Sequence, residues 1–70
     1  MNRDWVAGQW KEFRGDVQER WGKLTNDDLD VIAGKRDQLL GKIQQLYGTT
    51  REQAERELDE LWEKKHHAVS

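Results

Sequence analysis

Apolar residues recur at intervals of three and four positions along most of this chain, and no proline interrupts them. Because successive residues of an α-helix are about 100° apart around its axis, such spacing places apolar side chains on one side of a helix. Ala, Leu, Glu, Lys, Gln and Arg are abundant, and all of them favour helices. We therefore predict an all-α fold of four short helices. The apolar side of helix 1 consists of Val6, Trp10, Phe13, Val17, Trp21 and Leu24.

Glycine and threonine residues mark the predicted helix ends. Gly22 follows Trp21 where a left-handed residue would end helix 1, and Gly48 is placed in the same way to end helix 3. Thr25 offers a capping hydroxyl to helix 2, ahead of an acidic first turn. Helix 4 is predicted to start at Thr49 or Thr50, with Glu52 or Gln53 completing a capping box and Ala54, Leu58, Leu61 and Trp62 facing inward.

The boundary between helices 2 and 3 is the open point of this assignment. Helix 2 would bury Leu29, Ile32 and Ala33, and helix 3 would bury Leu39, Ile43, Leu46 and Tyr47. The same apolar pattern also fits one unbroken helix through Gly34. We favour a bend at Gly34, because a single rod of about 20 residues would leave much of its apolar face in water.

Length and composition limit the chain to one small domain. It has 70 residues, a formal charge of −2, 37% charged residues and no cysteine, which excludes a disulfide framework and thiol chemistry. We expect a single helical domain over residues 1–65 and a disordered tail over residues 66–70. Neither an apolar signal segment nor a membrane span is evident in the sequence, so we expect a cytoplasmic protein without membrane contact.

A weak internal repeat relates residues 8–22 to residues 34–48 at an offset of 26 positions. The three glycines of the first segment align with three glycines of the second, and several apolar residues align with them. Two copies are too few for a solenoid. The repeat favours two α-hairpins packed on each other with approximate two-fold symmetry.

Gly8, Gly15 and Gly41 lie away from the apolar side of their predicted helices, so core packing does not account for them. An interior glycine costs a helix roughly 0.8–1 kcal/mol relative to alanine. Either these glycines allow close contact with a partner, or they keep the fold weak enough to open and reorder. Inheritance from a glycine-rich repeat is the alternative explanation.

Four tryptophans stand in the sequence, and Trp10, Trp21 and Trp62 fall on predicted core faces. Trp5 precedes the firm helix pattern, so we expect it to be an exposed contact residue.

Nucleic-acid binding is the alternative function, through basic residues of helices 1 and 3 such as Arg14, Lys35 and Arg36. Acidic residues are interleaved with them, which weakens the case for phosphate binding.

Catalysis has little support in the sequence. Asp27, Asp28 and Asp30 lack the glycine and the terminal glutamate of a calcium-binding loop, and His66 and His67 are adjacent rather than on one helix face. We expect no catalytic residue, no cofactor and no bound metal.

Three strings in the sequence resemble the CsbD-like family of small bacterial stress proteins, in particular its YjbJ-type members. They are W-K-x-F-x-G from Trp10, W-G-K-L-T from Trp21 and G-K-R-D-Q-L-x-G-K-I-Q from Gly34. The resemblance implies a cytoplasmic bacterial protein of general stress or stationary phase, with two orthogonal α-hairpins of the SAM-domain-like kind. It supplies no catalytic residue and no cofactor.

Together, the residues and the resemblance predict a non-catalytic stress-response protein that acts through protein contacts or a protective surface. Its partner is unknown, and self-association is one of the options. The residues singled out for interaction are Trp5, Gly8, Gly15, Gly41, Arg14, Lys35 and Arg36.

Overall fold

A computed structural model describes residues 4–67 of the chain. Within these residues it has four helices and no strand, which confirms the all-α prediction. The helices are α1 (Ala7–Arg20), α2 (Asn26–Ile32), α3 (Arg36–Tyr47) and α4 (Arg51–His67). Helix α3 packs against both α2 and α4. The pairing into two SAM-like hairpins stays a prediction.

The buried core follows the apolar spacing of the sequence closely. Helix α1 contributes Trp10, Phe13 and Val17, and α4 contributes Ala54 and Leu58. Leu40 of α3 is also buried, although the pattern did not include it. The other predicted core residues that are buried are Trp21, Leu24, Leu29, Ile32, Leu39 and Ile43, with Leu46, Leu61 and Trp62 partly buried against them.

Three predicted core residues lie outside the core. Val6 is 66% exposed, because it caps α1 in an extended conformation instead of lying within the helix. Ala33 is exposed at the end of α2, where it adopts a left-handed conformation. Tyr47 is also exposed, and its hydroxyl accepts a hydrogen bond of 3.0 Å from the backbone N–H of Lys23. All three stand at helix ends, where the helical spacing no longer determines which way a side chain faces.

The predicted bend at Gly34 is confirmed. Helix α2 ends at Ile32, α3 begins at Arg36, and both Ala33 and Gly34 have positive φ, at 49° and 84°. Glycine adopts such a conformation without steric cost, whereas a residue with a Cβ is strained in it. The turn between α2 and α3 therefore depends on Gly34.

The other helix ends are partly as predicted. Gly48 ends α3 with a φ of 67°. Gly22 is not in the left-handed region, so that prediction is wrong: Trp21 caps α1, and its carbonyl accepts from Leu24 N–H at 3.0 Å in a tight turn.

Two helix starts have threonine caps. Thr25 and Asp28 form a reciprocal capping box on α2. Thr50, the second of the two candidates, accepts from the Gln53 N–H at the start of α4.

Helix α4 continues to residue 67 and so includes the first two residues of the predicted tail. The remaining tail residues, 68–70, lie outside the described part of the chain. The repeat is only partly reflected in backbone conformation. Gly15 and Gly41 are both exposed within helices, whereas Gly8 is helical and its counterpart Gly34 lies in a left-handed turn.

Candidate interaction surface

The three surface glycines could carry a methyl side chain without disturbing the packing of the described residues. Gly8 and Gly15 lie on α1 and Gly41 lies on α3, and all three are exposed. A Cβ placed on any of them would have no described atom within 4 Å, apart from its immediate chain and helix neighbours. Close packing within the described chain therefore does not explain why glycine stands at these positions. Their role in interaction stays a prediction.

Of the three basic residues suggested for nucleic-acid binding, two donate hydrogen bonds to acceptors within the chain. Arg14 donates to the Asp30 carboxylate at 2.7 Å and to the carbonyl of Asn26 at 3.3 Å. Arg36 donates to Asp59 at 2.9 Å, and its side chain is only 9% exposed. The expectation that Arg36 belongs to an accessible basic face is therefore wrong. Lys35 is exposed at the residue that precedes α3.

Ion pairs connect the helices across the surface of the described residues. Each of the six resolved pairs joins two different helices. An exposed pair contributes about 0–1 kcal/mol to stability, and Arg36 is the one arginine or lysine among these pairs whose side chain is buried. The pairs are Arg14–Asp30, Arg20–Glu57, Arg36–Asp59, Lys42–Asp28, Arg51–Asp37 and Lys65–Asp16.

Two of these charged groups have shifted pKa values. The pKa of Asp28 lies below its ordinary value, first because the backbone N–H of Thr25 donates to its carboxylate, and further because Lys42 lies nearby. The pKa of Lys65 is raised, chiefly by the carboxylate of Asp16, whose Oδ2 lies 2.8 Å from the Lys65 ammonium. In both groups the surroundings favour the charged form.

The N-terminal residues that precede α1 form a strap over the turn between α2 and α3. We call residues 4–5 the N-terminal strap. Trp5 is 7% exposed, so the expectation of an exposed Trp5 is wrong. Its ring stacks on Trp10 at a centroid distance of 5.7 Å and contacts Phe13 at 5.1 Å and Trp62 at 5.9 Å. The backbone N–H of Trp5 donates to the Gly34 carbonyl at 2.8 Å.

The strap also caps helix α3. Lys35 occupies the N-cap position, where lysine offers no acceptor, and it makes no side-chain cap. The carboxylate of Asp4 takes that role and accepts from the Arg36 N–H at 2.9 Å. An acidic group at a helix N-terminus satisfies an unpaired donor and interacts favourably with the helix dipole. In the sequence, the sign of such a cap is that Lys35, at the start of helix 3, has no acceptor with which to cap the helix itself.

Neither a metal-binding cluster nor a membrane-spanning helix occurs among the described residues. Among the side chains described, those of residues 4–65, no group of three or more His, Cys, Asp or Glu is placed to hold a metal ion. No helix in this part of the chain is both long enough and apolar enough to cross a membrane. The side chains of His66 and His67 lie outside the description.

Sequence comparison identifies the relatives of this four-helix chain. The sequence model of the family described as CsbD-like matches residues 4–56, which include the strap, the Gly34 turn and all three surface glycines. The chain belongs to the CsbD-like family.

Bacterial relatives resemble this CsbD-like chain over most of its length. The UPF0337 protein YjbJ of Escherichia coli is 59% identical over 66 residues, which are 94% of each chain. YjbJ of Salmonella typhimurium is 57% identical over 63 residues, 90% of this chain and 89% of the relative. A UPF0337 protein of Protochlamydia amoebophila is 52% identical over 64 residues, 91% of this chain and 97% of the relative. No solved structure matches the chain.

Proposed function

We propose that this CsbD-like protein is a non-catalytic stress-response protein of the bacterial cytoplasm. It protects other proteins by binding their exposed apolar segments. The apolar surface that it offers is part of its own core, and it becomes accessible when the fold opens locally under stress. The stress role is what the family resemblance implies, and the mode of action is argued from the structure.

The observation that carries the proposal is the exposure of the helical glycines. Gly15 and Gly41 are interior to α1 and α3, and a Cβ at either position would meet open space. Each therefore lowers helix stability by roughly 0.8–1 kcal/mol relative to alanine, and no packing contact compensates for this loss. Whole domains are stable by only about 5–15 kcal/mol, so this loss is a sizeable fraction of the total. Such a fold opens locally more often than its alanine counterpart would.

The core supplies the apolar surface that opening would expose. The rings of Trp5, Trp10, Phe13 and Trp62 form one cluster, in which Phe13 and Trp62 meet edge to face at 4.9 Å. Large aromatic side chains contribute most of the binding energy in many protein contacts. A partly opened chain would present this cluster to an unfolding protein. Mixed charges around it keep the protein itself dispersed.

A temperature series tests the proposal. Light scattering follows the aggregation of a purified enzyme that aggregates on heating, with and without this protein, at temperatures below and near the Tm of this protein. We expect suppression of aggregation to begin as the Tm is approached and to be weak well below it. Lysozyme at the same mass concentration controls for crowding. The proposal fails if aggregation is not suppressed at any temperature.

A further inference from the structure

The N-terminal strap occupies a site whose parts come from elsewhere in the chain. We call this site the cradle. It consists of the rings of Trp10, Phe13 and Trp62, the carbonyl of Gly34 and the backbone N–H of Arg36. The strap fills it with an aromatic ring, a backbone donor and a carboxylate. The contacts of the cradle therefore suit an acidic residue followed by a large aromatic residue.

The strap lies outside the helices. Helix α1 begins after it, and the carbonyl of Val6, which follows the strap, accepts from Trp10 N–H at 2.9 Å in the first turn of α1. Within the described residues, the backbone N–H of Trp5 donates to the Gly34 carbonyl, and the carboxylate of Asp4 accepts from the Arg36 N–H. Segments outside helices and strands often open at lower free energy than the helices of the core.

We propose that the strap is an autoinhibitory contact, and that the vacated cradle binds an extended segment of another polypeptide in which an acidic residue precedes a large aromatic one. This inference rests on the proposed function and assigns it a binding site. The incoming segment repeats the three contacts of the strap: its carboxylate accepts from Arg36 N–H, its backbone N–H donates to Gly34, and its ring stacks on Trp10.

Two further features of the cradle suit a polypeptide ligand. The indole N–H of Trp10 is buried and has no acceptor among the described residues. A buried donor without a partner is costly, and a longer ligand whose backbone carbonyl reached this N–H would satisfy it. Gly34 lets a backbone approach closely, because a Cβ there would collide with the carbonyl of Trp5. The same collision would exclude the carbonyl of a ligand seated in that position.

Peptide binding to strap variants tests the inference. The probe is a fluorescein-labelled hexapeptide copy of residues 2–7, Asn-Arg-Asp-Trp-Val-Ala, followed by fluorescence anisotropy. We expect Trp5→Ala to bind it at least tenfold more tightly than the wild-type protein, because a competing strap lowers the apparent affinity by the fraction of open molecules. A peptide with alanine in place of its tryptophan should not bind. Equal binding to wild type and Trp5→Ala would overturn the inference.

A pair of glycine variants provides the matched control. Gly34 and Gly48 both have positive φ, but a Cβ at Gly48 has no described atom within 4 Å. Adding Gly34→Ala to Trp5→Ala should abolish peptide binding, whereas adding Gly48→Ala should preserve it. Far-UV circular dichroism establishes that each variant is folded. Peptide binding that survives Gly34→Ala would contradict the assigned position.

Amide hydrogen exchange of the wild-type protein provides a test that does not depend on variants. The N–H groups of Trp5 and Arg36 are held by the strap, whereas Lys35 N–H bonds to Ile32 within the turn at 2.9 Å. We expect the first two to exchange at least tenfold faster than Lys35. Equal rates for all three would show that the whole turn opens together, and the inference would fail.

The outcomes separate this inference from the proposed function. Suppression of client aggregation without peptide binding to Trp5→Ala would leave the protective role intact and refute the cradle. Peptide binding without any suppression would support the cradle and refute the protective role.

Discussion

Trp5 and Gly34 fix each other's position: the backbone N–H of Trp5 donates to the Gly34 carbonyl at 2.8 Å, and a Cβ on Gly34 would collide with the carbonyl of Trp5. The strap therefore lies directly against the left-handed turn that separates α2 from α3. The absence of a side chain at Gly34 serves both the backbone conformation of the turn and the docking of the strap. These two roles can be separated by comparison with Gly48.

We predict that Gly34→Ala destabilises the protein more than Gly48→Ala. Both substitutions place a Cβ in the left-handed region, which costs roughly 1–2 kcal/mol. Gly34→Ala also forces the Trp5 backbone away, and we expect at least about 1 kcal/mol of additional loss. Urea unfolding measures both changes. Equal losses would mean that the strap does not depend on Gly34.

We predict that Gly15→Ala and Gly41→Ala each stabilise the protein. Each replaces an exposed helical glycine with open space around it, so the gain should be about 0.8–1 kcal/mol per site. For a domain of this size, the corresponding rise in Tm is roughly 4–8 °C per kcal/mol. Arg56→Ala, at an exposed position of α4, should change stability by less than about 0.5 kcal/mol. A loss of stability in either glycine variant would show that glycine is needed for folding.

Asp28 should make stability depend on pH in the acidic range. Its pKa in the folded protein is below the ordinary 3.8, mainly because Thr25 N–H donates to the carboxylate. A lowered folded pKa contributes stability above the unfolded value, and this contribution is lost as pH falls through the folded pKa. The stability difference between wild type and Asp28→Asn should therefore be larger at neutral pH than at a pH well below 3.8. Urea midpoints at both pH values measure it, and an unchanged difference would contradict the assignment.

Nucleic-acid binding should be absent at physiological ionic strength. Arg14 and Arg36 are engaged by Asp30 and Asp59, and the chain carries a formal charge of −2. Phosphate binding requires an accessible positive surface. A mobility-shift assay with duplex DNA and with RNA tests this expectation. It would be contradicted by a salt-dependent complex that is lost when Arg14, Lys35 and Arg36 are all replaced by glutamine.

The sequence predicted the helices and most of the core because apolar spacing reports which side of a helix is buried. It failed at helix ends: Val6, Ala33 and Tyr47 have apolar or aromatic side chains, but their positions depend on capping and turns. Burial of Trp5 was missed because the strap has no periodicity and contacts residues distant in the chain.

The ion pairs between helices were missed for a related reason. The alternation of acidic and basic residues looks the same in sequence whether the charges face solvent or one another. Of the candidate site, the exposure of Gly8, Gly15 and Gly41 was predictable from the helical wheel. The burial of Arg36 was not, because it depends on α4 supplying Asp59.

The most direct test of the account compares protection of a heat-aggregating enzyme by three proteins near the wild-type Tm. They are the wild type, the Gly15→Ala, Gly41→Ala double variant, and the double variant with Ile43→Val, which removes a buried methyl group at a cost of about 0.5–1.5 kcal/mol. If local opening supplies the protective surface, light scattering should show protection falling in the double variant and returning in part when Ile43→Val is added. Undiminished protection by the stabilised double variant would contradict the account.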